Sequence, residues 1–333
     1  MQWIVEPQNG IYLPQAGLHL DGKAKAAASF ISHAHSDHVA RHEVTLCSPA
    51  THHFICARGK PSRTVIEAEY GHEKDMACTP GFSWSLHAAG HIYGSSQILV
   101  THQNSGQRLL YTGDFKMRAG FSCEKAATPR AEVLIMETTF GLPRYRFPPV
   151  EETMQRVIQF CREAIAVDAV PVLMAYTLGK SQEILAGLRG VDFPLMLHPQ
   201  TFAITEAYVR LGVSLPPFRL FDAAHVAGHA LICPPNAMST DSPMAAALPR
   251  RRTAVLSGWA MDKSTLYRSR CDAAFPLSDH ADYDELLAFV EAVGPQRVYT
   301  VHGFVDSFAR DLRARGVEAW ALGRINQMEF CFG

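Results

Sequence analysis

Between residues 33 and 38 the chain reads His33-Ala34-His35-Ser36-Asp37-His38, directly after the apolar run Ala26-Ala27-Ala28-Ser29-Phe30-Ile31. No other stretch narrows the possible folds as much. Three imidazoles and a carboxylate on a tight turn at a strand end repel if all the imidazoles are protonated, but neutral His nitrogens and Asp oxygens suit borderline-soft divalent cations. Alternate residues of an extended segment point to one side, so His33 and His35 face the same way, while Asp37 and His38 follow where the chain turns. One loop can then feed two neighbouring metals, and the fold must bring further ligands to that strand end.

Candidates for those ligands stand at other strand ends. His91 lies in Ala89-Gly90-His91-Ile92-Tyr93-Gly94-Ser95, a glycine-flanked turn between the strand-like segments Phe82 to His87 and Ser96 to Thr101. Asp114 closes Leu109-Leu110-Tyr111-Thr112-Gly113-Asp114, and Glu137 ends the buried-type strand Val133-Leu134-Ile135-Met136 before Thr138-Thr139-Phe140-Gly141. Far along the chain, His280 follows Pro276-Leu277-Ser278-Asp279, and His302 ends Arg297-Val298-Tyr299-Thr300-Val301. Singly each is an ordinary polar residue; in order they form a series.

That series resembles the metallo-β-lactamase superfamily and its β-CASP nuclease branch. The His-X-His-X-Asp-His signature falls at 33 to 38, followed by His91 and Asp114, and the branch's three extra motifs fall at Glu137, His280 and His302. The chain is most similar to the short bacterial class of ligase-associated DNA exonucleases, through Gly17-Leu18-His19-Leu20-Asp21, Glu137 to Pro149, Tyr176-Thr177-Leu178-Gly179-Lys180-Ser181-Gln182 and Ser278-Asp279-His280-Ala281-Asp282. Thr138 stands where the branch commonly has Ser, and keeps the hydroxyl. The resemblance implies an α/β protein, an αββα sandwich with an inserted α/β β-CASP domain. Expected boundaries are 1-147 and 276-333 for the sandwich and 148-275 for the insertion.

By the same resemblance, His33, His35 and His91 hold one metal, Asp37, His38 and His302 a second, and Asp114 bridges them. Zn is the first choice for a His-rich set, with Mn an alternative. A water or hydroxide held between ions about 3.5 to 4 Å apart is a nucleophile near neutral pH, and the pair stabilises charge on an attacked phosphate. Phosphodiester hydrolysis is the matching reaction. His280 is then not needed as a ligand and takes the family role of contacting the scissile phosphate and protonating the leaving oxygen. Glu137 orients that imidazole. Asp37, Glu137 and His280 are thus the catalytic candidates.

Composition neither demands nor excludes this reading. With 333 residues, 47% of them hydrophobic, the chain can bury a large core in two domains or in one with an insertion. Its formal net charge of -1 gives no global attraction for nucleic acid, so phosphate must be drawn locally, by bound divalent ions. The 8 cysteines include no Cys-X-X-Cys pair, which argues against a cysteine-based zinc module or a disulfide scaffold and for small buried hydrophobes. No signal-peptide pattern or membrane-length apolar run is present, and a cytoplasmic enzyme without membrane association is expected.

After Arg146 the pattern changes from short strands and Gly/Pro turns to alternating strands and helices. Met154, Val157, Ile158, Cys161 and Ile165 have helical spacing within Val150 to Val167, Val170 to Ala175 reads as a buried strand, and Lys180 to Leu188 returns to helix, the order of a parallel α/β unit. In the first half Val44 to Cys47 reads as a strand and Pro49 to Ala57 as a short helix. The chain closes with helix Tyr283 to Val293, strand Val298 to Val301 and helix Ser307 to Arg315.

A cleft between the domains is expected to hold the nucleic-acid strand. Tyr176 to Ser181 joins a strand to a helix start, where backbone N-H groups and Lys180 could cradle a phosphate. Lys180, Ser181 and Arg144 are therefore candidate substrate contacts, with Arg146 and Arg250-Arg251-Arg252 as further basic candidates. His225-Val226-Ala227-Gly228-His229 has the i, i+4 spacing of a helical metal pair but lacks the metalloprotease Glu, and His52-His53 reads as surface.

Three functions stay open: a DNA exonuclease in repair, an RNA-processing β-CASP nuclease, and a small-molecule metallo-hydrolase. Resemblance to DNA-repair members implies 5′ to 3′ digestion and a functional association with a DNA ligase. His302 keeps RNA in play, because His at the third extra motif is typical of RNA-directed members. The insertion and the Glu137 and His280 motifs argue against a small substrate, and no missing metal or acid position suggests an inert scaffold.

Overall fold

The structure, a computed structural model, describes residues 2–59, 63–77 and 79–323. Two units emerge: residues up to Arg146 together with those from His280 onward, and Phe147–Asp279.

Short strands bounded by turn residues build the first unit. One sheet runs Ile11–Leu13, Leu18–Leu20, Ala28–Phe30, Val44–Cys47 and Thr64–Glu67, the first pair antiparallel and the rest parallel. A second sheet runs Glu318–Ala321, Arg297–Gly303, Val133–Thr138, Gln107–Tyr111, Ser96–His102, Phe82–Ala88 and Lys74–Asp75. Its first four strands are parallel and its last four antiparallel.

Side-chain alternation along Val133–Thr138 explains the layering. Val133 and Ile135 enter a core shared by the two sheets, with Leu18, Phe30 and Leu46 from one and Leu86, Val100 and Leu109 from the other. Leu134 and Met136 point the opposite way, into a core with Leu286 and Phe289 of helix Tyr283–Val293 and Phe308 and Leu312 of helix Val305–Ala314. Helix Pro49–Ala57, capped by the Ser48 hydroxyl on Thr51 N-H, connects the last two strands of the five-stranded sheet. Helix, sheet, sheet and helix make the expected αββα sandwich. Truncating a residue such as Ile135, with none of its surface exposed, costs about 2–5 kcal/mol.

The second unit has a six-stranded sheet, ordered Arg219–Leu220, Leu195–Leu197, Ala230–Cys233, Val170–Met174, Arg251–Leu256 and Ala273–Phe275, parallel throughout. Val170–Met174 and Ala230–Cys233 are buried along their whole length, as strands covered on both faces must be. Leu173 and Ile232 join one core with helix Val150–Ala166, while Val172 and Leu231 join another.

Six cysteines among the described residues are free thiols, and Cys78 and Cys331 lie outside the described residues. Cys47, Cys161 and Cys233 are the small buried groups expected, with the Cys161 thiol pushed up to about 12 by burial. Cys123 and Cys271 are half-buried and Cys56 is exposed, so burial is less general than the composition suggests.

Candidate metal centre

Parallel strands bring distant residues to one edge. Gln107–Tyr111, Val133–Thr138 and Arg297–Gly303 are mutually parallel, so Asp114, Glu137 and His302, each at or beyond the carboxyl end of its strand, emerge together. His91 occupies the turn closing the antiparallel pair Phe82–Ala88 and Ser96–His102. His302 owes its position to a register shift: Glu137 pairs with Val301 but Thr138 pairs with Gly303, leaving His302 as the extra residue, at a left-handed φ of 54°. Bulges beside a site re-aim a side chain in this way. Thr138 Oγ1 donates to the His302 carbonyl at 2.6 Å, which gives the retained hydroxyl a task. Gly303 is required there, because a Cβ would lie 2.4 Å from Thr138 O.

The candidate donors converge in overlapping groups. Nitrogens of His33, His35 and His91 all lie within 4.8 Å of one another, as do donor atoms of His33, His38 and Asp114, and of Asp114, Glu137 and His280. His33 Nε2 stands 2.9 Å from His35 Nδ1, and His91 Nε2 3.2 Å from the same atom. Asp114 Oδ2 reaches 3.4 Å from His38 Nε2, 3.7 Å from His33 Nε2 and 3.9 Å from His91 Nε2. Asp37, more exposed, brings Oδ2 to 3.5 Å from His38 Nε2, and the His38 and His302 rings lie 5.9 Å apart.

Outer contacts fix which ring nitrogen faces the centre. Ser32 Oγ lies 2.9 Å from His33 Nδ1, and Asp21 Oδ2 lies 2.8 Å from His38 Nδ1, leaving Nε2 of each ring turned inward. Asp21, at a left-handed φ of 47° just after Leu18–Leu20, also accepts from Ser32 N-H, Ser32 Oγ and the Tyr111 hydroxyl. Such partners orient ligands and tune their basicity. Sequence reasoning quoted Asp21 in a motif but gave it no place at the site; a carboxylate closing an apolar strand was the available signal. Ser32 and Tyr111 offered none.

Burial sets the charge states. Desolvation, with the neighbouring imidazoles adding repulsion, holds His33 well below the ordinary histidine value, hence neutral with a lone pair to donate. Burial also works against charge on His38, but Asp114 and Asp21 outweigh it and hold that ring well above the usual value. Asp114 is driven well below the carboxylate range: burial opposes ionisation, and His38, His280 and His33 overcome it. Burial lowers His302. The neutral nitrogens of His33 and His302 and the ionised Asp114 carboxylate suit a divalent metal by donor chemistry, and a metal at His38 would take the place of its ring proton.

Beside this cluster His280 Nδ1 lies 2.8 Å from Glu137 Oε1, and the His280 ring is 4.7 Å from that of His91. Glu137 is held in turn by N-H groups of Phe115 and Thr139. Arg118 donates to the His280 carbonyl at 3.1 Å while paired with Glu285, a support the sequence did not reveal.

Other candidates are placed differently. Lys180 is not presented to a strand: only 2% of its side chain is exposed, and its ammonium bonds Asp279 Oδ1 at 2.7 Å and Leu277 O at 2.8 Å. Ser181 Oγ and N-H both bond Tyr176 O, and Gly179 N-H bonds Gln182 Oε1, so these donors are engaged within the helix start. Arg146 is tied to Asp284, Arg250 to Val167 O, Arg251 to the Ala245 and Leu248 carbonyls, and Arg252 to Glu163. Arg144 is exposed, donating to the Tyr145 hydroxyl and lying over the Tyr145 and Phe304 rings. His225 and His229 sit on an exposed turn, bonded to Asp222 and to Ala227 O, and form no helical pair. Half-buried His52 bonds Glu67.

Residues 270–322 match the family model of the Zn-dependent metallo-hydrolase RNA specificity domain. A probable DNA ligase of Opitutus terrae is 51% identical over 99% of this chain and 32% of its own length. The 5' exonuclease Apollo of Rattus norvegicus is 27% identical over 88% of this chain and 55% of its own. The transcription termination factor FttA of Thermococcus kodakarensis is 32% identical over 43% of this chain and 23% of its own. The chain therefore spans only about a third of the ligase and about half of the exonuclease. A crystal structure of a protein of unknown function from Enterococcus faecalis superposes with a TM-score of 0.61 at 13% identity, covering 89% of this chain and 79% of that one.

Proposed function

Because the chain belongs to the metallo-β-lactamase superfamily and its β-CASP nuclease branch, we propose that it is a metal-dependent phosphodiesterase of nucleic acid, a DNA exonuclease serving DNA repair. The convergence of His33, His35, His38, His91 and Asp114 at one sheet edge, with the His280 and Glu137 pair alongside, carries the reading. His33, His35 and His91 would hold one divalent ion, Asp37, His38 and His302 a second, and Asp114 both. Bound there, zinc or manganese would activate water and polarise a phosphoryl oxygen. Asp21 and Ser32 keep the inner ring nitrogens pointed at the centre. Glu137 holds the His280 ring through Nδ1, so that the imidazole can meet the phosphate and pass a proton to the leaving oxygen. Arg144 presents a guanidinium suited to a neighbouring phosphate. The name of the Opitutus relative supports an association with DNA ligation.

An RNA-directed nuclease is the second reading, favoured by the family model's description over 270–322 and by His302 within that span. Among the described residues no helix is long and apolar enough to cross a membrane. Incubating the protein with zinc or manganese and matched DNA and RNA oligonucleotides, labelled at either end, tests both readings. A product ladder from DNA and none from RNA is expected; RNA-only products would favour the second reading, and no cleavage of either would remove both.

A further inference from the structure

Two exposed cations grip the backbone of the His33 to His38 loop. Lys23 Nζ donates to Asp37 O at 2.7 Å, and Arg58 Nη1 donates to Ala34 O at 2.5 Å. They arrive on unrelated segments: Lys23 in the turn between strands Leu18–Leu20 and Ala28–Phe30, Arg58 as the cap residue ending helix Pro49–Ala57. Among the described residues neither has a carboxylate within ion-pair distance, whereas nearby Lys25 pairs with Glu43 at 3.3 Å.

We propose that Lys23 and Arg58 form an anion subsite beside the metal centre, taking backbone phosphates of the strand next to the bond being cut. The assignment rests on the nuclease reading above and deepens it. Each carbonyl occupies one donor, leaving two on the lysine ammonium and four on the guanidinium. Tethering the two side chains reduces the rotamer freedom lost when an anion binds. Local placement also answers the charge problem, since a chain of net charge -1 has no general attraction for a polyanion. A brace for the loop alone would need the hydrogen bonds but not two cations that, among the described residues, have no carboxylate at ion-pair distance.

The test uses metal-loaded protein carrying His280→Ala, which slows cleavage by about 10²–10⁴-fold and lets binding of a fluorescent single-stranded oligonucleotide be followed by anisotropy across a salt series. Adding Lys23→Gln or Arg58→Gln is expected to weaken binding about tenfold at low salt and to flatten the log-log salt slope by about 0.7 per lost contact. Lys25→Gln should keep the parental slope, and Arg58→Lys should recover part of the affinity. In the active background, KM rises more than kcat falls, with parental metal content by mass spectrometry. Parental slopes in the Lys23 and Arg58 variants, an equal change in Lys25→Gln, or loss of metal in place of affinity would overturn the subsite. A parent that neither binds nor cuts the oligonucleotide would remove the nuclease reading itself.

Discussion

The two units bury charge to different ends. In the sandwich, His33, His38, His91, Asp114 and Glu137 are buried with donor atoms aimed at common points, so each ring or carboxylate crowds its neighbours. In the inserted unit, Lys180 and Asp279 are also buried, but they neutralise each other and the adjacent polar groups close on themselves. Buried charges are expensive unless paired. The Lys180 ammonium forms a closed pair with Asp279 Oδ1, whereas the donors of the sandwich form an open cluster, an arrangement suited to a cation.

The largest expected effect lies in the open cluster. Asp114→Asn should drop hydrolysis of oligonucleotide to background and lower bound metal, with an unchanged circular dichroism spectrum. Retained activity and metal would break the comparison at its root. In the closed pair, Lys180→Met strands a buried carboxylate and should cost about 3–5 kcal/mol of stability, read by denaturant unfolding, while Lys180→Met with Asp279→Leu recovers most of it. A single variant of parental stability but raised KM would return Lys180 to the substrate.

Asp21→Asn probes the support beneath the open cluster. It should weaken metal affinity about 10–100-fold, measured by competition with a chelator, while Asp21 itself bears no direct part in hydrolysis. Parental affinity would show that the His38 ring keeps its orientation without the carboxylate.

The smallest effect belongs to Glu124, whose carboxylate caps Gly94 N-H in the His91 turn and whose pKa burial raises above the ordinary value. A group raised in the fold contributes stability fully below its unfolded pKa, near 4.5, and loses it as pH climbs through the raised value. A tenfold rise in proton affinity on folding is worth about 1.4 kcal/mol. The melting temperature of Glu124→Gln should therefore gain on the parent between pH 4 and neutrality, and a difference independent of pH would rule out burial as the cause.

Much of this fold was legible because its elements are local. Strand Val44–Cys47 and helices Pro49–Ala57 and Tyr283–Val293 have the bounds expected from patterning, proline placement and capping residues. Strand Val298 to Val301 was read short because its end depends on a bulge, which arises from pairing with Val133–Thr138 rather than from its own residues. Lys180 is a related case. A Gly-Lys-Ser at a helix start looks like a phosphate cradle in sequence, and only the partner nearly a hundred positions away, Asp279, turns the ammonium inward.

Residue types and order alone determined that nitrogen and oxygen donors would cluster at strand ends, since donor chemistry is a property of the side chain and strand ends follow from apolar runs. Tertiary structure decided which donors meet and which nitrogen of each ring faces inward. It also settled, among the described residues, which cations lack a carboxylate at ion-pair distance. Those outcomes depend on strand direction, register and desolvation, and each is a relation between segments distant in the chain.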